Sequence, residues 1–506
     1  DNPSGVTATV QNNFVYRNTA VNGGAFYNSS ADNLFRHNTV ISNTASGTGA
    51  AVYVAADSPE IQGNIIMKHT TGTVSGVFGA PGSTPVLGHN DFYQNTVDVG
   101  GSVAGPGPGT LHVDPGFSLF LTDSFTLTIE SPVVDVYTPA EPLATDYEGD
   151  IRPSHQTYDL GADEVGGCYA AIAGAEATVY GSVQTAVDAA DEGDTVLVNG
   201  LCQNVQGRVV DGTLVTQTVV LTKSLTLDGG WAYEEPISAT LDALGRGRVV
   251  YVGETAVVTL TNITLINGDS TAAGNDDRGG ALFNAGTAVL TNTQITNSLG
   301  ALGGAIFNEA SLTLQDSQVL TNTAVSGGGV YNAAAAGQVT IRHTLFMGNS
   351  AVDGGAVYQN DGDLNLDGNT LHHNAAETNG GAVYVTDGTG NEVDVRNNFI
   401  YENAAERGGG LYNAGTNGRF WHNTFVFNEA ASLEGGGIYN ASGAADIRNN
   451  IIDRSLGSGV FAVAGSPLVD YNNAFNNFPD NYVNVVAGAG SISQIPAYRD
   501  PFLPDF

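Results

Sequence analysis

Lysine is almost missing from this 506-residue chain. Lys68 and Lys223 are the only two, and with arginine the basic residues number 16 against 51 acidic ones, for a formal charge of -35. Nucleic-acid binding needs clustered Lys and Arg to displace counterions from phosphates, so the balance argues against that partner. An acidic surface of this kind keeps a chain soluble by self-repulsion and holds cations only loosely. Long apolar runs are missing too. None approaches the roughly 18 residues of a membrane span, and no basic region leads into an apolar one after Asp1, so export would need a leader lying upstream or already removed. Cysteine is limited to Cys168 and Cys202, on either side of a helix-like segment. A disulfide between them, expected ahead of two free thiols, fits an oxidising, extracellular compartment.

What is abundant is glycine, 67 residues of it, and much of it is periodic. Gly303-Gly304-Ala305-Ile306-Phe307-Asn308 has near copies beginning at Gly23, Gly279, Gly327, Gly354, Gly380, Gly408 and Gly435. From Gly279 onward the step between first glycines runs 24 (303 minus 279), 24, 27, 26, 28 and 27 (435 minus 408). A period in that range with no helical pattern inside it predicts an all-β solenoid of stacked parallel coils. Two short strands per coil are legible, one ending in the glycine motif and one of the form apolar-x-x-Asn, as in Val15-Tyr16-Arg17-Asn18.

Taken in order, residues 1–103 read as late coils of a first β-helix unit. Residues 104–165 form a closing or linker segment that opens on Gly105-Pro106-Gly107-Pro108-Gly109 and carries an alternating run at Phe125–Ile129. A boundary is expected near Val165 to Gly167. Residues 166–248 supply a capping helix and the first coils of a second unit: Val183, Ala186, Val187 and Ala190 recur at helical spacing behind Ser182, a potential N-cap. A helix across the open end of a β-solenoid would cover strand edges and apolar core. Residues 249–506 are coils of that second unit, ending before its closing segment.

A longer period underlies the short one. Val10-Gln11-Asn12-Asn13-Phe14-Val15-Tyr16-Arg17-Asn18 aligns with Val395-Arg396-Asn397-Asn398-Phe399-Ile400-Tyr401-Glu402-Asn403 at an offset of 385 (403 minus 18). Phe35 to Thr39 matches Phe420 to Thr424 at the same offset, and Asp114-Pro115 matches Asp500-Pro501 at 386 (500 minus 114). The chain therefore reads as a window on a tandem array whose unit has that length, copies or neighbouring units following end to end.

Each repeated position has a physical job. Gly279, Gly303, Gly327, Gly354, Gly380, Gly408 and Gly435 are expected to turn the chain at positive φ and admit a close backbone approach. Asn297, Asn322, Asn349, Asn374, Asn403 and Asn428 fall at matching points and predict an amide ladder. A hydrolase of the polygalacturonase type needs paired acids with a Gly-His-Gly and an Arg-x-Lys element, neither of which occurs. Asp276-Asp277-Arg278 is the best acidic-basic cluster and reads as a solvated turn. His372-His373, His37 and His422 lack neighbouring ligands on their strands, so no metal site and no catalytic residue are assigned. Asp163-Glu164 with Arg152 has two readings, a Ca²⁺ site or an ion pair closing the domain, the second preferred. Asn28-Ser29-Ser30, Asn262-Ile263-Thr264 and Asn440-Ala441-Ser442 match the glycosylation triplet.

The Gly-Gly-Ala-Ile motif with aromatic-x-x-Asn, seen at Phe346-Met347-Gly348-Asn349 and Phe425-Val426-Phe427-Asn428, resembles the repeats of polymorphic outer-membrane proteins over residues 10–70 and about 279–440. It departs from them where Leu, Val or Ile replaces the aromatic. Residues 168–231 resemble the N-terminal coils of the pectate-lyase-like superfamily. Arg152 to Glu164 is similar to the closing segment of the bacterial surface proteins called choice-of-anchor. These resemblances imply a right-handed parallel β-helix and an extracellular or cell-surface protein, structural or adhesive, whose partners are copies of itself or surface polysaccharide. The same fold often carries polysaccharide lyases and glycoside hydrolases, the second reading. No cofactor is implied, Ca²⁺ excepted.

Overall fold

The computed structural model describes residues 7–29, 32–117, 125, 127, 131–147, 152–153, 157–164, 168–203, 205–210, 212–231, 239–272, 276–333, 337–386 and 392–498. The expected boundary at Val165 to Gly167, the Asp500-Pro501 pair and most of the run at Phe125–Ile129 lie outside these residues. The chain divides into two units, Asp1–Cys168 and Tyr169–Phe506, each built of stacked parallel coils, about 17 turns of β-solenoid in all.

The first unit has three four-stranded parallel sheets, one strand per coil in each. One sheet is built from Thr9–Gln11, Leu34–Arg36, Glu60–Gln62 and Val86–Gly88. The second takes Phe14–Tyr16, Thr39–Ile41, Ile65–Met67 and Asp91–Tyr93, and the third Phe26–Asn28, Val52–Val54, Val77–Gly79 and Val99–Gly101. Alternation along each short strand sends every second side chain inward. Phe35, Val40, Val52, Val54, Ile61, Ile66, Val77 and Phe92 thus share one core. Parallel register holds like above like, as in Val15 beside Val40 beside Ile66.

In the second unit, Ser182 caps the helix Val183–Ala189, its hydroxyl accepting from Thr185 N–H at 3.1 Å. Val183, Ala186 and Val187 are buried beneath it. Gln184 is also buried and pairs with the backbone of Val220 through both its amide atoms. Strand Thr195–Gln203 is long enough to serve two sheets, pairing with Leu225–Asp228 through its first half and with Thr240–Asp242 through its second. From there coils stack in register to Asn473–Phe475, and a twelve-stranded sheet carries the glycine-motif strands.

Two expectations need correction. Coils contain three strands rather than two: between Leu282–Asn284 and Gln294–Thr296 lies Thr287–Thr291, a Thr-Ala-Val-Leu-Thr run whose alternation carries no marker residue. The start of the second unit also holds an antiparallel hairpin, Gln206–Val210 with Thr213–Leu221, for which the intervening Asp211-Gly212 pair is the sequence signal that the coil reading passed over.

The longer repeat has a structural counterpart. The fourteen strands from Thr9–Gln11 to Val99–Gly101 correspond in order to the fourteen from Val393–Arg396 to Tyr482–Val483. The offset between their first positions stays between 382 (473 minus 91) and 386 (451 minus 65). Phe14–Tyr16 maps onto Phe399–Tyr401, Thr39–Ile41 onto Thr424–Val426 and Ile65–Met67 onto Ile451–Asp453.

Candidate functional site

The repeated residues form continuous stacks. Asn322, Asn349, Asn374, Asn403 and Asn428 are buried and lie one above the next. From Asn349 onward each amide oxygen accepts from both the backbone N–H and the side-chain NH₂ of the asparagine one coil earlier, at 3.0–3.1 Å. Every NH₂ also donates to a backbone carbonyl, as Asn374 does to Phe346. The polar groups of each corner are satisfied without water.

Asn297 does not stand in this ladder. Its rung is Ser298, whose backbone N–H donates to Asn322 Oδ1 at 2.9 Å. Asn297 is exposed one residue earlier, at φ 53°, and donates to Asn267 Oδ1 in a solvent-facing row that continues to Asp242. Adjacent positions that both favour asparagine, one for left-handed backbone and one for amide stacking, made the two rows look like one.

Two further buried ladders were missed. Asn369, Asn398, Asn423, Asn450 and Asn472 repeat the same double acceptance at the neighbouring corner. The Asn-Asn pairs at 397–398 and 449–450 were the signal, with one member exposed and one buried. The third runs through the last residue of the glycine motif, Asn284 to Asn308 to Asn332 to Gln359.

The glycines divide the labour. Gly279, Gly303, Gly327, Gly354, Gly380, Gly408 and Gly435 all have φ between 62° and 68°. The second glycine of each pair secures close approach: a Cβ on Gly304 would lie 2.4 Å from Gly328 O of the next coil. The motif aromatics face away from the core and stack as nine rings from Tyr251 through Phe283, Phe307, Tyr331, Tyr358, Tyr384, Tyr412 and Tyr439 to Phe461, at centroid spacings of 4.6–5.6 Å.

The charged clusters are internally paired. Asp276 does not stand in a merely solvated turn. It binds the buried Arg248 at 2.8 Å and Arg278 at 2.6 Å, while Arg278 also reaches Glu309. Burial pulls the Arg248 guanidinium below its ordinary value, and Asp276 opposes the shift. Both arginines lie over the Phe283 ring, at 5.0 and 4.9 Å. His372 stacks on Tyr401 at 4.7 Å and meets His373 at 2.7 Å. Burial, then the adjacent His373, lowers its pKa. Among the described residues no three His, Cys, Asp or Glu side chains group as metal ligands. Arg152 donates to Glu164 Oε2 at 3.0 Å with both side chains fully buried, and Asp163 accepts from Leu127 N–H, so at this closure arginine holds the Glu164 carboxylate that Ca²⁺ would need. Cys168 and Cys202 are disulfide-bonded. No helix among the described residues is long and apolar enough to cross a membrane.

Among the described residues, two of the surface grooves include ladder or row asparagines in their lining and are open. One, lined by Gly229, Asn262, Asn292, Thr293, Asp316 and Gln318 among others, measures about 440 Å³ and is polar; the other lies over His373, Glu402 and Phe427. What fold and site define together is a β-solenoid whose repeated residues are committed to stacking one coil on the next. No family model, curated protein or solved structure gives a significant match to this chain. The resemblances to polymorphic outer-membrane and choice-of-anchor proteins thus gain no support from relatives.

Proposed function

We propose that the chain is part of an extracellular structural or adhesive fibre built from tandem β-solenoid units that repeat at the 385 offset (403 minus 18). The observation that carries this reading is the recurrence of fourteen strands, in order, at an almost constant offset, 385 for Phe14–Tyr16 (399 minus 14) and 383 for Val99–Gly101 (482 minus 99). Independent growth of coils would keep the short coil period but has no reason to preserve one long register across two units. The chemistry agrees: asparagines, glycines and aromatics are consumed by coil-to-coil contacts, and the strongest ion pairs brace turns. A net charge of -35 keeps such a surface soluble and unaggregated. Twelve strands at about 4.8 Å give the second unit's glycine-motif sheet a rise of roughly 50 Å.

The test is the native polypeptide. Antibody raised to the second unit should label intact producing cells or their medium. Peptide mapping of the labelled protein should return more than one variant of the closing segment 104–165. Labelling only after permeabilisation would overturn the extracellular assignment, and a single closing segment would overturn the array.

A further inference from the structure

In the first unit, the described residues between 113 and 164 act as a strap across the outer side of one sheet. Phe125, Leu127, Val133, Tyr137 and Leu160 bury Ile41, Ile65 and Met67 beneath them. Phe14 packs edge-on against Tyr147 at 4.4 Å. Polar contacts fix the register: Ala162 N–H donates to Thr39 Oγ1 at 2.9 Å, Asn12 Nδ2 to Thr145 O at 2.7 Å, and Arg152 Nη1 lies 3.3 Å from His37 Nδ1. A strap atom thus meets a coil atom at Phe14, Thr39, Ile65, His37 and Asn12.

The second unit presents the same residues at the corresponding places: Phe399, Thr424, Ile451, His422 and Asn397. Here they stand open. Phe399 is 39% exposed, His422 is exposed where His37 is buried, and Thr424 and Ile451 are half-buried where Thr39 and Ile65 are fully covered. In the same sheet the outward positions of earlier coils are mixed, Gln294, Thr296 and Gln318 alongside Ile266, Leu320, Leu345 and Met347, so the match to the first unit's covered residues, rather than apolar character alone, singles out these coils. Among the described residues, only Ile495 to Tyr498 lie on this face, at its last coil beside Asp453, Arg454 and Phe475.

We infer that the outer face of strands Phe399–Tyr401, Thr424–Val426 and Ile451–Asp453 is a docking seat for a second strap with the sequence chemistry of residues 113–164. Apolar rings settle on Phe399 and Ile451, a backbone N–H meets Thr424 Oγ1, and an arginine that forms a buried pair with its own strap's glutamate lies beside His422. Three places differ. Trp421 replaces Arg36, which pairs with Glu141 in the first unit, Arg448 replaces Gln62, which accepts from Tyr137, and Asp453, paired with Arg454, replaces the strap-covered Met67. The seat therefore takes a strap lacking the Glu141 carboxylate there and offering an acceptor opposite Arg448. The inference rests on the tandem reading only for where that strap comes from.

The test grafts residues 116–167, carrying Glu141→Gln to suit Trp421, onto the full chain after Pro501, in register with Asp114-Pro115, in a Trp231→Phe background so that Trp421 alone reports. Docking predicts a blue shift of Trp421 emission and a graft cleaved by protease about tenfold more slowly than the same graft on a chain carrying Phe399→Ser and Thr424→Val. Both substitutions point outward, so the coil's circular dichroism should be unchanged. The first unit's own strap, resistant in the same molecule, shows that the sequence is competent to dock. A graft cleaved at the same rate with and without the seat substitutions, with Trp421 unmoved, overturns the inference. A graft that docks while native chains carry a single strap leaves the seat standing and removes only the array.

Discussion

His69 occupies a rung that asparagine fills in neighbouring coils: its Nδ1 lies 2.9 Å from Asn95 Oδ1, and Asn43 Nδ2 approaches its Nε2 at 3.4 Å. An amide oxygen only accepts, so Nδ1 carries the proton and Nε2 offers a lone pair to the Asn43 amide. A second proton on the ring would set N–H against NH₂ inside a buried ladder. Burial holds the His69 pKa at about 4, and burial together with Arg152 holds that of His37 at about 3.

The first unit should therefore lose stability as pH falls. Below the ordinary histidine value of 6.5 the unfolded chain takes up protons that folded His37 and His69 refuse, so their contribution is complete above pH 6.5 and drains toward pH 4 and 3. Asp91 works in the opposite sense. Burial raises its pKa to about 6, so its contribution is present below pH 3.8 and lost as pH rises toward 6. Two histidines against one carboxyl leave a net slope of about 1.4 kcal/mol per pH unit between about pH 4.5 and 5.5. Hydrogen-exchange protection of the strands around Ile65–Met67, measured across that range, checks the sign. His69→Asn should flatten the slope, and an unchanged slope in that variant would count against the ladder assignment.

Asn374→Ala should cost far more than Asn297→Ala, although sequence periodicity places the two residues in one row. Removing the Asn374 amide strands the buried N–H of Asn349 and the carbonyl of Phe346, at about 1–3 kcal/mol for each group. Asn297 gives up one exposed bond to Asn267 and should change stability by less than about 1 kcal/mol. Urea unfolding followed by Trp421 emission separates the two.

Positive-φ glycines are not interchangeable. Gly348 (φ 67°) is the mate of Asn297, Thr321 and His373, which hold left-handed backbone with side chains in solvent. A Cβ there meets only a Thr321 methyl at 3.3 Å. Gly348→Asn should be close to neutral. At Gly303 (φ 68°) a Cβ would lie 2.1 Å from Ile306 O, a fixed strand atom. Gly303→Asn should block the coil, read as loss of soluble expression or a lowered melting midpoint.

Periodicity revealed the fold because a solenoid writes each contact once per coil: Gly303, Ile306 and Phe307 recur, and their recurrence is the architecture. The strand Thr287–Thr291 stayed hidden because an alternating Thr-Ala-Val-Leu-Thr run carries no residue type that only one conformation accepts. Ladder membership failed at Asn297 because left-handed turns and amide stacking select the same residue one position apart. The Arg278 guanidinium over Phe283 and Phe307 was invisible for another reason: it joins residues whose neighbourhood is set by coil stacking rather than by spacing along the chain.

Arg152 should be the residue on which the strap depends. Its guanidinium donates to Glu164, to the carbonyls of Asp159 and Gly161, and lies beside His37, all in a site closed to solvent. Arg152→Ala leaves the Glu164 carboxylate buried without its cation, a loss of about 3–5 kcal/mol. The first unit's coils would keep their own core of Phe35, Val40 and Ile61, which the strap does not supply. The expected outcome is selective: protease cuts appear between residues 113 and 164, while exchange protection of strands such as Leu34–Arg36 and emission from Trp421 hold. The double variant Arg152→Met, Glu164→Leu removes both charges and should recover part of the loss. Full recovery is not expected, because the carbonyls of Asp159 and Gly161 still lack the donor that Arg152 supplied. A strap that stays protease-resistant in Arg152→Ala would mean that the apolar contacts of Phe125, Tyr137 and Leu160 close the unit on their own, with the ion pair only filling the space between them.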